Sequence, residues 1–183
     1  MKAIQLNEYG DSSVLQLKEG LDVPVIQPDQ VLVKMAYAGI NFIDTYQRTG
    51  LYQLPSFPSG LGREGAGTIV NVGGDVKSNL SEGDVVAFVG AQGAYAEYVA
   101  ISAAKVVRVP DGISIEQAAA VGLQGLTAHY LCHSTHPVQK DERVLIHAAA
   151  GGTGRLLVQM AKMRGAEYVV ICIDICCSSD PNR

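Results

Sequence analysis

The stretch Ala148-Ala149-Ala150-Gly151-Gly152-Thr153-Gly154 constrains this chain more than any other. It follows a short apolar run, Val144-Leu145-Ile146-His147, and precedes an amphipathic segment, 155–164, that stops at Gly165; residues 168–173 are then apolar again. Strand, glycine loop, helix and strand in that order make one βαβ unit. Strands that are apolar throughout belong to a parallel sheet covered on both faces, so a doubly wound domain is expected here. The loop also has a chemical meaning. Gly151 lets backbone N–H groups approach phosphates, Gly154 lets helix and strand pack closely, and the helix N-terminus offers unpaired donors and a positive dipole end. A dinucleotide pyrophosphate suits such a place. The G-x-G-x-x-G fingerprint is incomplete, because Ala149 occupies its first glycine position, and on the motif alone a merely tight turn is an equally good reading.

Before this unit the pattern is different. Segments 2–6, 15–18, 31–38, 65–72, 85–89, 95–101 and 106–109 alternate with period two, separated by turn clusters such as Val72-Gly73-Gly74-Asp75 and Ser81-Glu82-Gly83-Asp84. Many short strands with glycine-rich turns imply a partly closed β barrel. After Pro110 the period changes. Ser114-Ile115-Glu116-Gln117 reads as a capping box opening a helix, and a second helix is expected over 126–134, ended by Pro137. The expected fold is mixed α/β, with a barrel domain at 1–124 followed by part of a doubly wound domain at 125–183.

Composition excludes several classes of function. With 48% hydrophobic and 17% charged residues, the 183-residue chain is globular rather than disordered. A net charge of -4 supplies no cationic field for phosphate backbones, which makes nucleic acid an unlikely partner. The apolar run at 168–173 is far short of the ~20 residues of a spanning helix, and Met1-Lys2-Ala3-Ile4-Gln5-Leu6 alternates like a strand instead of forming a signal peptide. A cytoplasmic protein is expected. Cys132 stands alone and Cys172, Cys176 and Cys177 crowd the end, a spacing that fits reduced thiols better than disulfides or paired metal hooks.

Asp141, Glu142, Leu145, Ala149, Ala150, Gly151, Gly152, Gly154, Gln159 and Lys162, at their spacings, resemble the signature of the quinone oxidoreductase (zeta-crystallin) family of medium-chain dehydrogenases/reductases. The N-terminal half is similar too, through Ala38-Gly39-Ile40-Asn41-Phe42-Ile43-Asp44-Thr45-Tyr46, Gly50-Leu51-Tyr52, Gly62-Arg63-Glu64-Gly65-Ala66-Gly67, Gly83-Asp84-Val85-Val86-Ala87 and Gly93-Ala94-Tyr95-Ala96-Glu97-Tyr98. The resemblance covers about 1 to 165. It implies a GroES-like catalytic domain, a Rossmann-type cofactor domain, and NADPH-dependent reduction of a quinone by a protein that is commonly a homodimer, with nicotinamide in a cleft between the domains. Two rival readings accompany it: reduction of an enone or alkenal double bond, and a non-catalytic nucleotide- or RNA-binding relative or inactive truncated form. RNA is disfavoured by a pI near 5.5.

Zinc relatives place a Cys and a His where this chain has Asn41 and Arg63, neither of which is a normal zinc ligand, so no catalytic zinc is expected. Without a metal, the developing charge on the acceptor oxygen needs hydrogen-bond donors. Tyr46 and Tyr52, in the segment resembling the active-site floor, are the candidates, with packing at a domain rim as the alternative role. Asn41 is a candidate for the nicotinamide ribose or the substrate, or for capping the helix that follows. Thr127 and Tyr130 resemble the nicotinamide-side helix, while Ala150, Gly151, Gly152, Thr153 and Gly154 are the expected phosphate cradle. His129, His133, His136 and His147 read as surface or core residues rather than acid–base catalysts. The tail departs from the family after 173. Asp174 would favour NAD, Ser178, Ser179 and Arg183 would suit a 2′-phosphate, and the resemblance favours NADPH with NADH as the alternative.

Overall fold

In the computed structural model, which describes residues 1–171, alternation of side chains orders the first of two units, Met1–Gly122. Its strands are β1 (Ala3–Leu6), β2 (Gln16–Lys18), β3 (Gln30–Gly39), β4 (Ser59–Gly60), β5 (Glu64–Val72), β6 (Val85–Val89), β7 (Tyr98–Ser102) and β8 (Val106–Arg108), with helix α1 (Phe42–Thr49) between β3 and β4. Residues two apart on the strands, Val31 and Val33, Val86 and Phe88, and Val99 and Ile101, join Ile69 and Val106 in one buried cluster. Complete burial of each such side chain is worth ~1.5–3 kcal/mol.

These strands form a five-stranded antiparallel sheet in the order β7-β3-β5-β6-β8 and a three-stranded antiparallel sheet in the order β2-β1-β4, not one closed barrel. The barrel is thus partly closed, as expected, and stays open between the two sheets. The cause is local to β3, whose pairing with β5 is irregular at Leu32/Val33 and Met35/Tyr37, while its pairing with β7 ends at Lys34 and Tyr98. Bulges of this kind bend a strand away from its neighbour. The two sheets still meet through a bridge between Ala3 and Ala96 and through the Ile4 N–H on the Tyr95 carbonyl at 2.8 Å.

The capping box at Ser114 is formed: Ser114 N–H donates to Gln117 Oε1 at 3.0 Å, and Gln117 N–H to Ser114 Oγ at 3.2 Å. It opens α2 (Ile115–Tyr130), which continues as one helix into a π turn at Leu131–Thr135. The two separate helices expected on either side of Gly122 and Gly125 are therefore one. A helix tolerates glycine when something gains from the missing side chain, and at Gly122 that is Glu64 and Val89, which approach the position a Cβ would take to 2.8 and 2.9 Å.

The second unit runs from Leu123 onward. Here β9 (Arg143–His147), α3 (Gly152–Met163) and β10 (Glu167–Ile171) make the expected βαβ unit, with β9 and β10 parallel from Arg143↔Glu167 to His147↔Ile171. Ile146, Ala149 and Ala161 pack with Cys132 and Val138 on one side of this sheet. Leu145, on the other side of β9, is 53% exposed, so the described residues of this unit cover one face and not both. No helix among the described residues is long and apolar enough to cross a membrane.

Candidate functional site

Two groups of candidate residues are held on separate scaffolds. In the first unit, Asn41 is the N-cap of α1 and shares a capping box with Asp44, whose Oδ2 accepts the Asn41 N–H at 2.8 Å. The same Oδ2 accepts the Tyr95 hydroxyl at 2.7 Å, and Asp44 is buried. Burial, followed by this bond to a carboxylate, raises the Tyr95 phenol well above its ordinary value. The Asn41 amide makes a second tie, its Nδ2 donating to Glu64 Oε1 at 2.7 Å. Capping and a further polar contact thus coexist at Asn41. Asp44 is the buried acceptor on which α1 starts.

Tyr46 and Tyr52 lie together on the exposed side of α1. Their rings meet edge to face at 5.5 Å, the Tyr52 N–H bonds to the Tyr46 carbonyl at 3.0 Å, and Phe42 stands 6.5 Å from Tyr46. Both phenols are partly open, at 37% and 52% exposure, and Ile40 and Leu51 are exposed beside them in the sequence. The result is an angled cluster of exposed aromatic rings carrying two hydroxyl groups. Arg63 Nη1 reaches Gln92 Oε1 at 3.4 Å, and Gln92 in turn accepts from Gln47. The places of the two zinc ligands are thus filled by an amide bonded to a carboxylate and a guanidinium beside a carboxamide. No group of three or more His, Cys, Asp or Glu side chains suited to a metal occurs among the described residues.

In the second unit Ala148, with φ 50°, turns the chain out of β9, and Ala149 packs into the core. The left-handed residue is Ala148 and not Ala149, which is why alanine is accommodated at the fingerprint's first glycine position. Gly151 is the N-cap of α3 without a side-chain cap, and Arg155 is the first residue of the helix whose N–H reaches back, to Gly151 O. The N–H groups of Gly152, Thr153 and Gly154 therefore lack an intrahelical acceptor, as at any helix start. The three glycines differ. A Cβ on Gly154 would lie 2.3 Å from Ala148 O, and one on Gly152 would lie 2.1 Å from Gln124 Oε1, whereas one on Gly151 would meet only Ala148 O, at 3.2 Å. Gly151 also has φ -70° and ψ 167°, which any residue adopts. A side chain there would press on one backbone oxygen, while the approach to the helix N-terminus is otherwise open.

Thr127 spends its hydroxyl hydrogen on Leu123 O at 2.7 Å, and Tyr130 is exposed at the end of α2. His129 and His133 stack at 4.1 Å, His136 pairs with Glu142, and His147 ends β9. Arg155 is exposed. Sequence reasoning missed Glu64 and Gln124, whose contacts are to residues distant in the chain; the signal available was a glycine at 39, 122 or 152 where no turn was needed. Cys172, Asp174, Cys176, Cys177, Ser178, Ser179 and Arg183 lie outside the described residues.

The chain is similar to known proteins in both units. Residues 27–111 match the alcohol dehydrogenase GroES-like domain. A quinone oxidoreductase of Pseudomonas aeruginosa is 44% identical over 92% of this chain and 51% of its own length. The crystal structure of Escherichia coli quinone oxidoreductase complexed with NADPH superposes with a TM-score of 0.88 at 42% identity, over 93% of this chain and 52% of that one. The JamJ enoyl reductase, in its apo form, is 29% identical with a TM-score of 0.85, over 92% of this chain and 53% of that one. The chain is similar to quinone oxidoreductases over about 92% of its length, has a mixed α/β fold, and spans about half the length of the relatives it matches.

Proposed function

We propose that this chain is the GroES-like domain and the first part of the cofactor domain of an NADPH-dependent quinone reductase. Residues 1–124 would carry the substrate side and 125–183 the cofactor side, a division supported by the change of contacts between Gly122 and Leu123. The observation that carries the reading is the open N-terminus of α3 at Gly151, where a Cβ would meet a single atom, Ala148 O at 3.2 Å. That cradle fits a pyrophosphate: Gly152, Thr153 and Gly154 supply N–H donors, with Ala150 and Gly151 leaving the approach clear. Thr127 and Tyr130 are assigned to the nicotinamide side by resemblance.

Reduction of a quinone to a hydroquinone takes up, in net, one hydride and one proton. NADPH supplies the hydride when bound. The chain's own task is to hold and polarise the acceptor. Tyr46 and Tyr52 offer an angled pair of rings against which a quinone ring can pack and phenol hydrogens that bond its oxygens, and their exposure lets water supply the proton taken up. Asn41 adds a fixed amide. The roles of a small-molecule quinone as partner, of a homodimer and of a cytoplasmic location rest on the family resemblance. Enone or alkenal reduction is the second reading, favoured by the likeness to an enoyl reductase.

The test is binding first. NADPH at about 100 times its dissociation constant should stabilise the protein by ~2.7 kcal/mol, read as a rise in Tm. Gly151→Val should remove that rise while leaving the Tm of the free protein within a few degrees, and Tyr52→Phe should keep it while lowering NADPH oxidation at 340 nm. Equal stabilisation of Gly151→Val by NADPH would refute the cradle, and turnover with enones but not quinones would select the second reading.

A further inference from the structure

Glu64 is buried at 1% exposure, and both of its carboxylate oxygens are hemmed in by glycines from other elements. A Cβ on Gly39, at the end of β3, would lie 2.4 Å from Oε1; one on Gly122, inside α2, would lie 2.8 Å from Oε2. A glycine in a helix interior is destabilising by ~0.5–1 kcal/mol relative to alanine, so the space at Gly122 is maintained against a local cost. A buried carboxylate is held in this space at the junction of three elements, and Oε1 takes the Asn41 Nδ2 hydrogen at 2.7 Å.

A carboxylate only accepts, so this contact fixes which end of the Asn41 carboxamide faces Glu64. Nδ2 carries two hydrogens. One of them on Glu64 orients the carboxamide, and the backbone N–H of Asn41 on Asp44 fixes the backbone that carries it, so the second Nδ2 hydrogen has a set direction. Building on the reading above, we propose that Glu64 is a positioning residue: it holds Asn41 so that the second Nδ2 hydrogen is donated to an oxygen of the bound reactants. That oxygen is either a hydroxyl of the NADPH ribose or the quinone oxygen that becomes an oxyanion. Displacing such a donor by ~1 Å can cost ~100-fold in rate.

The experiment is a double-mutant cycle on the whole chain, with NADPH affinity by fluorescence and quinone-dependent NADPH oxidation read on each protein. Glu64→Met keeps the volume and removes the acceptor; Glu64→Gln keeps one acceptor oxygen. The expected result is a loss of at least 30-fold in kcat/KM for Glu64→Met, a loss under about fivefold for Glu64→Gln, and less than a threefold effect of Glu64→Met once Asn41 is already alanine. A loss in NADPH affinity assigns the oxygen to the ribose, and a loss in kcat alone assigns it to the quinone. Equal losses from Glu64→Met with and without Asn41, or from the Met and Gln variants alike, in proteins with unchanged circular dichroism, overturn the proposal and leave the quinone reductase reading standing. If Glu64→Met does not fold, Glu64→Leu, which also removes the acceptor, takes its place in the cycle with the same expected and overturning results. A parent that neither binds nor oxidises NADPH overturns both.

Discussion

Tyr95 and Asp44 show how much one hydrogen bond can decide at the level of single residues. Asp44 is buried with Oδ2 bonded to both the Asn41 N–H and the Tyr95 hydroxyl, so the start of α1 depends on a carboxylate whose partners come from two segments. Tyr95→Phe removes one partner and is expected to destabilise the protein by ~1–3 kcal/mol, as urea unfolding would read. The same contact has a pH signature. Burial and the neighbouring Asp44 favour the neutral phenol, raising its pKa well above ~10. The stability gained is therefore fully present below pH ~10 and is lost as pH rises through the folded-state value. Spectrophotometric titration at 295 nm should give the same phenolate signal up to pH ~10.5 in the parent and in Tyr95→Phe. A smaller signal in the variant would show that Tyr95 ionises normally.

The loop before α3 separates three demands that look alike in a glycine-rich sequence. Ala148 adopts φ 50° without being glycine. The left-handed region costs a residue with a Cβ ~1–2 kcal/mol, while glycine loses ~0.5–1 kcal/mol of that advantage to chain entropy. Ala148→Gly should therefore stabilise the second unit by about 0.5–1 kcal/mol, visible as a higher urea midpoint. Gly154→Ala should do the opposite, by ~1–3 kcal/mol, because its methyl would stand 2.3 Å from Ala148 O and force helix and strand apart. If Gly154→Ala proved neutral, the close packing of α3 on the loop would be wrong. Between these, Gly151 is the position where a side chain should spare stability and damage ligand binding.

Acid stability belongs to the whole molecule, because carboxylates with lowered pKa values occur in both units. Asp84 accepts the Ser81 N–H and pairs with Arg108 of β8; Glu142 accepts the Gln139 N–H and pairs with His136. In each case the backbone bond is the first cause of the shift and the cationic partner adds to it. Both groups favour folding while ionised, so their contribution is present above the ordinary carboxylate range near pH 4 and is lost as pH falls through the lower folded-state values. Tm should fall from pH 5 to pH 3. In Asp84→Asn that fall should be shallower, and an unchanged slope would show that Asp84 contributes nothing to it.

Near neighbours in sequence fixed what could be read without coordinates. Alternation placed the strands of the first unit, Ser114 and Gln117 announced the start of α2, and an apolar run, a glycine loop and an amphipathic segment announced the βαβ unit. Each depends on a period or on a bond spanning a few residues. Asn41, Tyr46 and Tyr52 were legible as candidates, since they sit in one short segment around α1. Glu64 lies 23 residues from Asn41, and Tyr95 lies 51 from Asp44. No local period encodes those pairings. Tertiary structure alone decided that bulges in β3 leave two sheets instead of one closed barrel, that α2 runs through Gly122 to admit Glu64, and that Gly152 clears room for Gln124. The reason is the same throughout: burial and capping act along the chain, whereas close approach acts across it, where only the folded backbone brings the two sides together.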